Sequence, residues 1–287
     1  MRQRFLTPAL SSLPSVRFNV RQFALGQREI KTLAGAWQYF YTQSVKLDIP
    51  LPVETDYPPE VFRSDLAPEY RVGCAWAYFK TNFLARRLFR QRVDIAFDLM
   101  PSAHCKRALD AGTGAGFILP GLASRCREVD AVDLSPVMYY TQRMLDKRGL
   151  HNVKLTEADL LQLPFVNLTF DLAVCLSVIE HIPDPEAVLT ELGRVLRYDG
   201  VLILGYPLEH GFFVTLEKMC RIEKRLRLRI QGKPLPQGKA FHPHVTDCRR
   251  LEKKVDKILK IEARRDVRIV GVPVYRILKL RKTAIKA

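Results

Sequence analysis

An α/β fold built on a Rossmann-like, mostly parallel sheet is what this 287-residue sequence predicts, and three observations carry it. Between residues 105 and 206, short apolar runs alternate with longer amphipathic stretches, the pattern of strands joined by crossover helices. The runs are apolar almost throughout, as strands buried on both faces must be. The first run ends in a glycine-rich bend and the second ends in an acid.

Taken in order, Arg107–Ala111, Glu128–Val132, Val153–Thr156, Phe170–Leu176 and Val201–Tyr206 read as strands. Gly116–Ser124, Pro136–Lys147 and Pro185–Leu196 read as the helices between them. Upstream, apolar residues recur at helical spacing from Gly73 to Met100, so a helix leads into the domain. Residues 1–72 read as an N-terminal extension, its last part an irregular connection with prolines at 50, 52, 58, 59 and 68. Residues 73–287 form the main domain. Downstream, Cys248–Leu259 reads as a helix, followed by strands Glu262–Val270 and Val274–Leu280 around Gly271 and Pro273.

Size and composition narrow the function classes. With 47% hydrophobic residues the chain has enough apolar surface for a self-sufficient core. No apolar run approaches the length of a membrane-spanning helix. The six cysteines (74, 105, 126, 175, 220, 248) are far apart and form no Cys-x-x-Cys pair. That spacing argues against a zinc site or a disulfide framework and for buried thiols in a reducing, cytoplasmic setting. The first 28 residues hold five arginines and no acid, a composition that mitochondrial targeting segments share with ordinary basic N-termini. The net charge of +16 is concentrated beyond residue 200. A basic flank of that kind over 218–282 suits an anionic partner, RNA or a membrane surface, or a solvated helix face.

The chemistry-bearing run is Ala108-Leu109-Asp110-Ala111-Gly112-Thr113-Gly114-Ala115-Gly116. Glycines after a strand let the backbone turn sharply and let a nucleotide lie against it. Asp133 ends the next run, where a carboxylate accepts from ribose hydroxyls. Both features suit a nicotinamide dehydrogenase equally well, and the third region discriminates. It holds Asp159-Leu160-Leu161-Gln162-Leu163-Pro164-Phe165, then Phe170-Asp171-Leu172-Ala173, Ile179-Glu180-His181 and Arg194-Val195-Leu196-Arg197-Tyr198-Asp199-Gly200.

This order resembles the "methyltransferase 11" group of class I enzymes dependent on S-adenosylmethionine (SAM), over residues 105–206. The resemblance implies a seven-stranded sheet of order 3-2-1-4-5-7-6 with the last strand antiparallel. It implies SAM as cofactor. Asp110, Ala111, Gly112, Thr113, Gly114 and Gly116 would line its methionine and ribose side. Asp133 would hold the ribose, with Leu134 beside the adenine. Ala158 and Asp159 would face the adenine amino group, Leu160 would pack on the base, and the Leu176 backbone would face the methionine. An arginine before the first strand, Arg90 or Arg92, would meet the SAM carboxylate.

Two departures matter. Tyr198-Asp199 stands where the group has Pro-Gly, although Asp-Gly still turns tightly. The related ubiquinone-type O-methyltransferases carry a metal-linked Glu where this chain has Ser177, so no metal is expected. His181, just past the fourth strand, is the candidate base for an acceptor that must lose a proton, or else a structural helix-start residue. Residues 211–244 read as a lid insert after strand five, with an apolar stripe flanked by arginines and with His242 and His244 at its end. The implied function is methyl transfer to a small-molecule acceptor such as a lipid, quinone, sugar or secondary metabolite. A tRNA methylase using the basic third, and a non-catalytic SAM-binding partner subunit, are the alternatives.

Overall fold

The structure, a computed structural model, describes residues 49–62, 75, 78–80, 83–102, 105–134, 138–208, 229, 248, 251–256, 258–269 and 271–283. The lid insert with His242 and His244, except for Arg229, and residues 1–48 and 63–72 of the N-terminal extension lie outside the described residues.

Seven strands form one sheet: β1 (Cys105–Ala111), β2 (Cys126–Asp133), β3 (Val153–Glu157), β4 (Phe170–Leu176), β5 (Leu196–Pro207), β6 (Lys260–Ile269) and β7 (Val272–Arg281). Their order is β3-β2-β1-β4-β5-β7-β6. Strands β1 to β5 pair in parallel, and β7 runs antiparallel to both β5 and β6. This is the expected seven-stranded α/β architecture. The order reverses between β1 and β4, and ligands of open α/β sheets bind outside the carboxyl ends of the strands at such a point.

Alternation along each strand divides the core into two layers. Ala108, Leu172, Val174, Val201 and Ile203 face one side. They are covered by α1 (Phe83–Leu99), α2 (Leu119–Arg125) and α3 (Met138–Arg148). Leu109, Ala173, Cys175, Leu202 and Leu204 face the other, covered by α4 (Pro185–Val195) and α5 (Leu251–Val255). Helix α4 starts where local chemistry dictates: the Asp184 carboxylate accepts from the Ala187 N–H and Pro185 supplies a pre-set φ.

The proline-rich segment packs on the domain. Residues 49–62 form two 3-10 turns, Glu54–Asp56 and Pro59–Phe62. Ile49, Leu51, Tyr57 and Val61 are buried in the first layer, so the packed domain includes chain well before Gly73.

The cysteine expectation needs correction: Cys105 and Cys126 form a disulfide. They are 21 residues apart in sequence, but they are register partners at the starts of the parallel strands β1 and β2, with Cα atoms 4.7 Å apart. Spacing along the chain does not report this adjacency, and the inference of a reducing compartment loses its premise. Cys175 and Cys248 are buried free thiols.

The β6–β7 hairpin is laced with ion pairs. Arg276 bonds Asp266 (2.8 Å) and Glu252 (2.5 Å), Arg281 and Lys279 meet Glu262, and Arg264 meets Glu252. At the β5 entrance, Asp199 takes the left-handed conformation (φ 61°) in place of the usual glycine, and its N–H donates to the Lys282 carbonyl.

Candidate functional site

The site forms where β1 and β2 end. After Ala111 the chain turns through Gly112 (φ 81°), Gly114 (φ 51°) and Gly116 (φ 68°), conformations that a side chain resists. Space closes two of these positions independently. A Cβ on Gly112 would come 2.4 Å from Val178, and one on Gly116 would come 2.5 Å from Thr141.

The bend is fastened from several directions. The Gly112 and Thr113 N–H groups both donate to the Val132 carbonyl, at 2.8 and 3.0 Å. Asp133 at the β2 tip accepts from the Gly114 N–H at 2.7 Å, so its carboxylate is aimed at the bend and not into the interior. The Thr141 hydroxyl of α3 donates to the Gly114 carbonyl (2.7 Å), and the Tyr57 hydroxyl donates to the Ala115 carbonyl (2.8 Å).

Asp110 is fully enclosed beneath the bend. Burial pushes its carboxyl up to about 7; the Thr113 hydroxyl pulls it down and the Asp133 charge pushes it further up. Neither Asp110 Oδ2 nor Thr113 Oγ1 has a hydrogen-bond partner of normal geometry. Asp110 and Thr113 thus form a buried polar pair at the bend, each with hydrogen-bonding capacity that a polar ligand would complete.

The remaining expected residues fall around this centre. Ala158 N–H donates to the Asp133 carbonyl (3.2 Å), which brings the end of β3 beside Asp133. Leu134 is 62% exposed, an open apolar surface for a flat base. Asp159 is exposed, one of its oxygens accepting from the Leu161 N–H (2.9 Å). Leu160 is buried in the second layer with Leu163, so the apolar side chain facing outward at this corner is Leu161. Leu176 ends β4 against Gly205.

The two arginines part company. Arg90 pairs with Asp94 along α1 at 2.9 Å. Arg92 is buried and donates to the Ser177 hydroxyl (2.6 Å) and to the Tyr78 hydroxyl (3.1 Å). Its guanidinium lies 4.3 Å from the Phe89 ring centre and 5.4 Å from that of Tyr275. Ser177 has a left-handed backbone (φ 58°), and its hydroxyl also bonds the Tyr275 hydroxyl at 2.8 Å. The Tyr275 phenol is pushed above its ordinary range by burial, although Arg92 opposes that. A serine in the place of a metal-linked glutamate is thus a junction of α1, β4 and β7. Among the described residues, no cluster of His, Cys, Asp or Glu has the makings of a metal site.

His181 lies on the 3-10 turn Ile179–His181 between β4 and α4, partly exposed, its Nε2 4.0 Å from Glu180. Asp184 and not Glu180-His181 caps α4. Sequence reasoning missed Tyr57, Thr141, Val178 and Tyr275. Only Thr141, one polar position on the buried face of α3, carried a signal, and a weak one.

The residues present fit SAM. Asp133, Leu134 and the glycine bend would hold the nucleoside, and Asp110, Leu176 and Arg92 would lie toward the methionine end. Comparison with known proteins agrees. Residues 109–204 match the family model described as "Methyltransferase domain". The chain is 34% identical over 111 residues to the rice chloroplastic 2-methyl-6-phytyl-1,4-hydroquinone methyltransferase 2, covering 38% of this chain and 31% of that protein. It is 34% identical over 125 residues to a phosphatidylethanolamine N-methyltransferase of Cereibacter sphaeroides, covering 42% of this chain and 61% of the other. The chain thus spans less than two thirds of either relative. The fold is shared with the N-methyltransferase NodS of Bradyrhizobium japonicum, solved with S-adenosylhomocysteine (SAH): TM-score 0.50, 17% identity, 68% of this chain and 87% of that one. Sheet order, glycine bend and family match agree: the chain carries a class I SAM-dependent methyltransferase domain.

Proposed function

We propose that the protein transfers the methyl group of SAM to a small-molecule acceptor, with oxygen on a quinone- or lipid-type scaffold as the acceptor atom. The observation that carries the reading is the Asp133 carboxylate bonded to a glycine bend at which a side chain on Gly112 or Gly116 would clash. Two relatives acting, by name, on a prenylated hydroquinone and on a phospholipid support the acceptor class.

Bound SAM supplies an electrophilic methyl whose sulfur leaves neutral, so no acid is required for departure. The protein's task is alignment and the exclusion of water. Asp133 fixes the nucleoside end through its carboxylate. Asp110, as the carboxylate, balances the positive charge of the methionine end. Val178, closed over Gly112, and the Ser177 junction fix the end of β4 from which the acceptor is met. His181 takes the proton from an acceptor hydroxyl.

Against a phosphate-tracking RNA surface, Arg264, Arg276, Lys279 and Arg281 of the basic third are engaged with Glu252, Asp266 and Glu262. An anionic membrane surface remains our proposed route for delivery of a lipid-like acceptor. The test is calorimetry of the purified chain with SAH, then mass spectrometry of lipids, quinones and tRNA nucleosides from cells with and without the gene. SAH binding plus a small molecule lighter by one methyl in the deletion is expected. No binding at millimolar SAH overturns the cofactor reading, and a lost methyl confined to tRNA overturns the acceptor class.

A further inference from the structure

The cofactor bend is held from outside the family-matched segment. Tyr57 is 4% exposed, and its hydroxyl donates to the Ala115 carbonyl at 2.8 Å across 58 residues of sequence. Its neighbours are fastened to α3, the helix that holds the same bend through Thr141. Asp56 bonds Arg148 at 2.7 Å, and Lys147 donates to the Thr55 carbonyl. Asp56 also accepts from the Val53 N–H at 2.8 Å, which closes residues 53–56 into a turn.

The result is a closed circuit. Helix α3 grips the Gly114 carbonyl through Thr141 at its first turn, and at its last turn it grips Asp56 and Thr55. The 53–57 segment then returns to the bend at Ala115 through Tyr57. Two consecutive carbonyls, Gly114 and Ala115, are thereby held by two hydroxyls from different elements. A peptide with both carbonyls tied cannot rotate, so the positive-φ geometry of Gly114 and Gly116 is set before the ligand arrives. Preorganisation of this kind raises affinity without adding a contact to the ligand.

We propose that residues 53–57 are a functional part of the cofactor site, with Tyr57 a positioning residue that pre-sets the glycine bend for SAM. The inference rests on the SAM reading above and concerns residues well upstream of the family match.

The experiment compares SAH affinity by calorimetry for the full chain, Tyr57→Phe, Tyr57→Leu, Asp56→Asn and Thr141→Val. Tyr57→Phe keeps the ring and its packing and removes only the bond to Ala115. The expected result is a Kd about tenfold weaker, the equivalent of one net hydrogen bond. In turnover with SAM, KM should rise by a similar factor with kcat little changed, and hydrogen exchange at 113–116 should quicken. Asp56→Asn, which loosens the other end, should move SAH affinity in the same direction. If Tyr57→Phe binds SAH within twofold of the parent while only Tyr57→Leu loses affinity, Tyr57 is packing alone and the proposal is overturned. Should a variant fail to fold, exchange at 113–116 in the remaining variants, compared with the parent, decides the question. Failure of the parent chain itself to bind SAH sinks the function reading instead, so the two failures are separable.

Discussion

The isopropyl group of Val178 closes over the α-carbon of Gly112, so that a methyl placed there would lie 2.4 Å from one Val178 carbon and 2.8 Å from the other. The loop after β4 and the bend after β1 are therefore fitted to each other with no room for a side chain. Gly112→Ala meets this contact and a left-handed backbone (φ 81°) together. The conformation costs about 1–2 kcal/mol and the overpacking about 1–3. Urea denaturation should show a loss in that combined range, with SAH binding abolished. Adding Val178→Ala should recover the packing part and leave the backbone part.

Asp110 makes the ligand-free protein pH-sensitive. Its carboxyl is raised from 3.8 to about 7 by burial. A raised acid binds more protons folded than unfolded between those values, so stability falls as pH rises from about 4 to about 7 and levels off above. Asp110→Asn should therefore melt higher than the parent at pH 8, with the gap closing toward pH 4. In the parent, SAH affinity should improve as pH rises through 7; Asp110→Asn should bind weakly at every pH. An equal melting difference at pH 4 and pH 8 would contradict this account.

Asp133→Asn keeps a group of the same shape beside Gly114 and removes the charge. Hydrogen bonds to a charged group are worth about 1.5–3 kcal/mol, or roughly ten- to a hundredfold in Kd. Calorimetry should show SAH weakened within that range, with little change in the unfolding midpoint.

The Ser177 junction predicts a stability effect at a position that looks loop-like. Ser177→Ala leaves the buried Arg92 guanidinium and the Tyr275 phenol short of one partner, costing about 1–3 kcal/mol. Ser177→Gly loses the same bonds but relieves the φ of 58°. It should lie closer to the parent than Ala in the same denaturation assay.

Intact mass of the protein should rise by two hydrogens on reduction if Cys105 and Cys126 are joined. Closing a 21-residue separation stabilises by about 3 kcal/mol in the chain-entropy model, so the melting temperature should drop with reductant. Cys105→Ser should melt at the reduced value whether or not reductant is present.

Much of this architecture was legible from residues alone, for identifiable reasons. Strands such as Phe170–Leu176 are apolar on both faces and bounded by turn residues, and Asp133 closes its strand in the one place where an acid is useful. The bend announced itself because glycine takes positive φ values at the least steric cost. What escaped were contacts between chain segments that lie far apart in sequence. Tyr57 and Tyr275 are ordinary aromatics until the fold brings their hydroxyls to Ala115 and Ser177. The Cys105–Cys126 pairing depends on strand register, which spacing does not report. Leu160 and Leu161 show the opposite limit: two adjacent leucines are indistinguishable until one is seen buried and the other turned outward.

Strand β6 ends the sheet order, and among the described residues no strand pairs with its outer side. Lys260, Arg265 and Arg268 stand exposed along it. Two such borders brought together from separate molecules would place like charges against one another before any backbone bond could form. Although Arg268 pairs with Asp266, cations on such a border are expected to keep neighbouring molecules from zipping into a continuous sheet. Replacing those three side chains by neutral ones should lower the concentration at which the folded protein begins to self-associate.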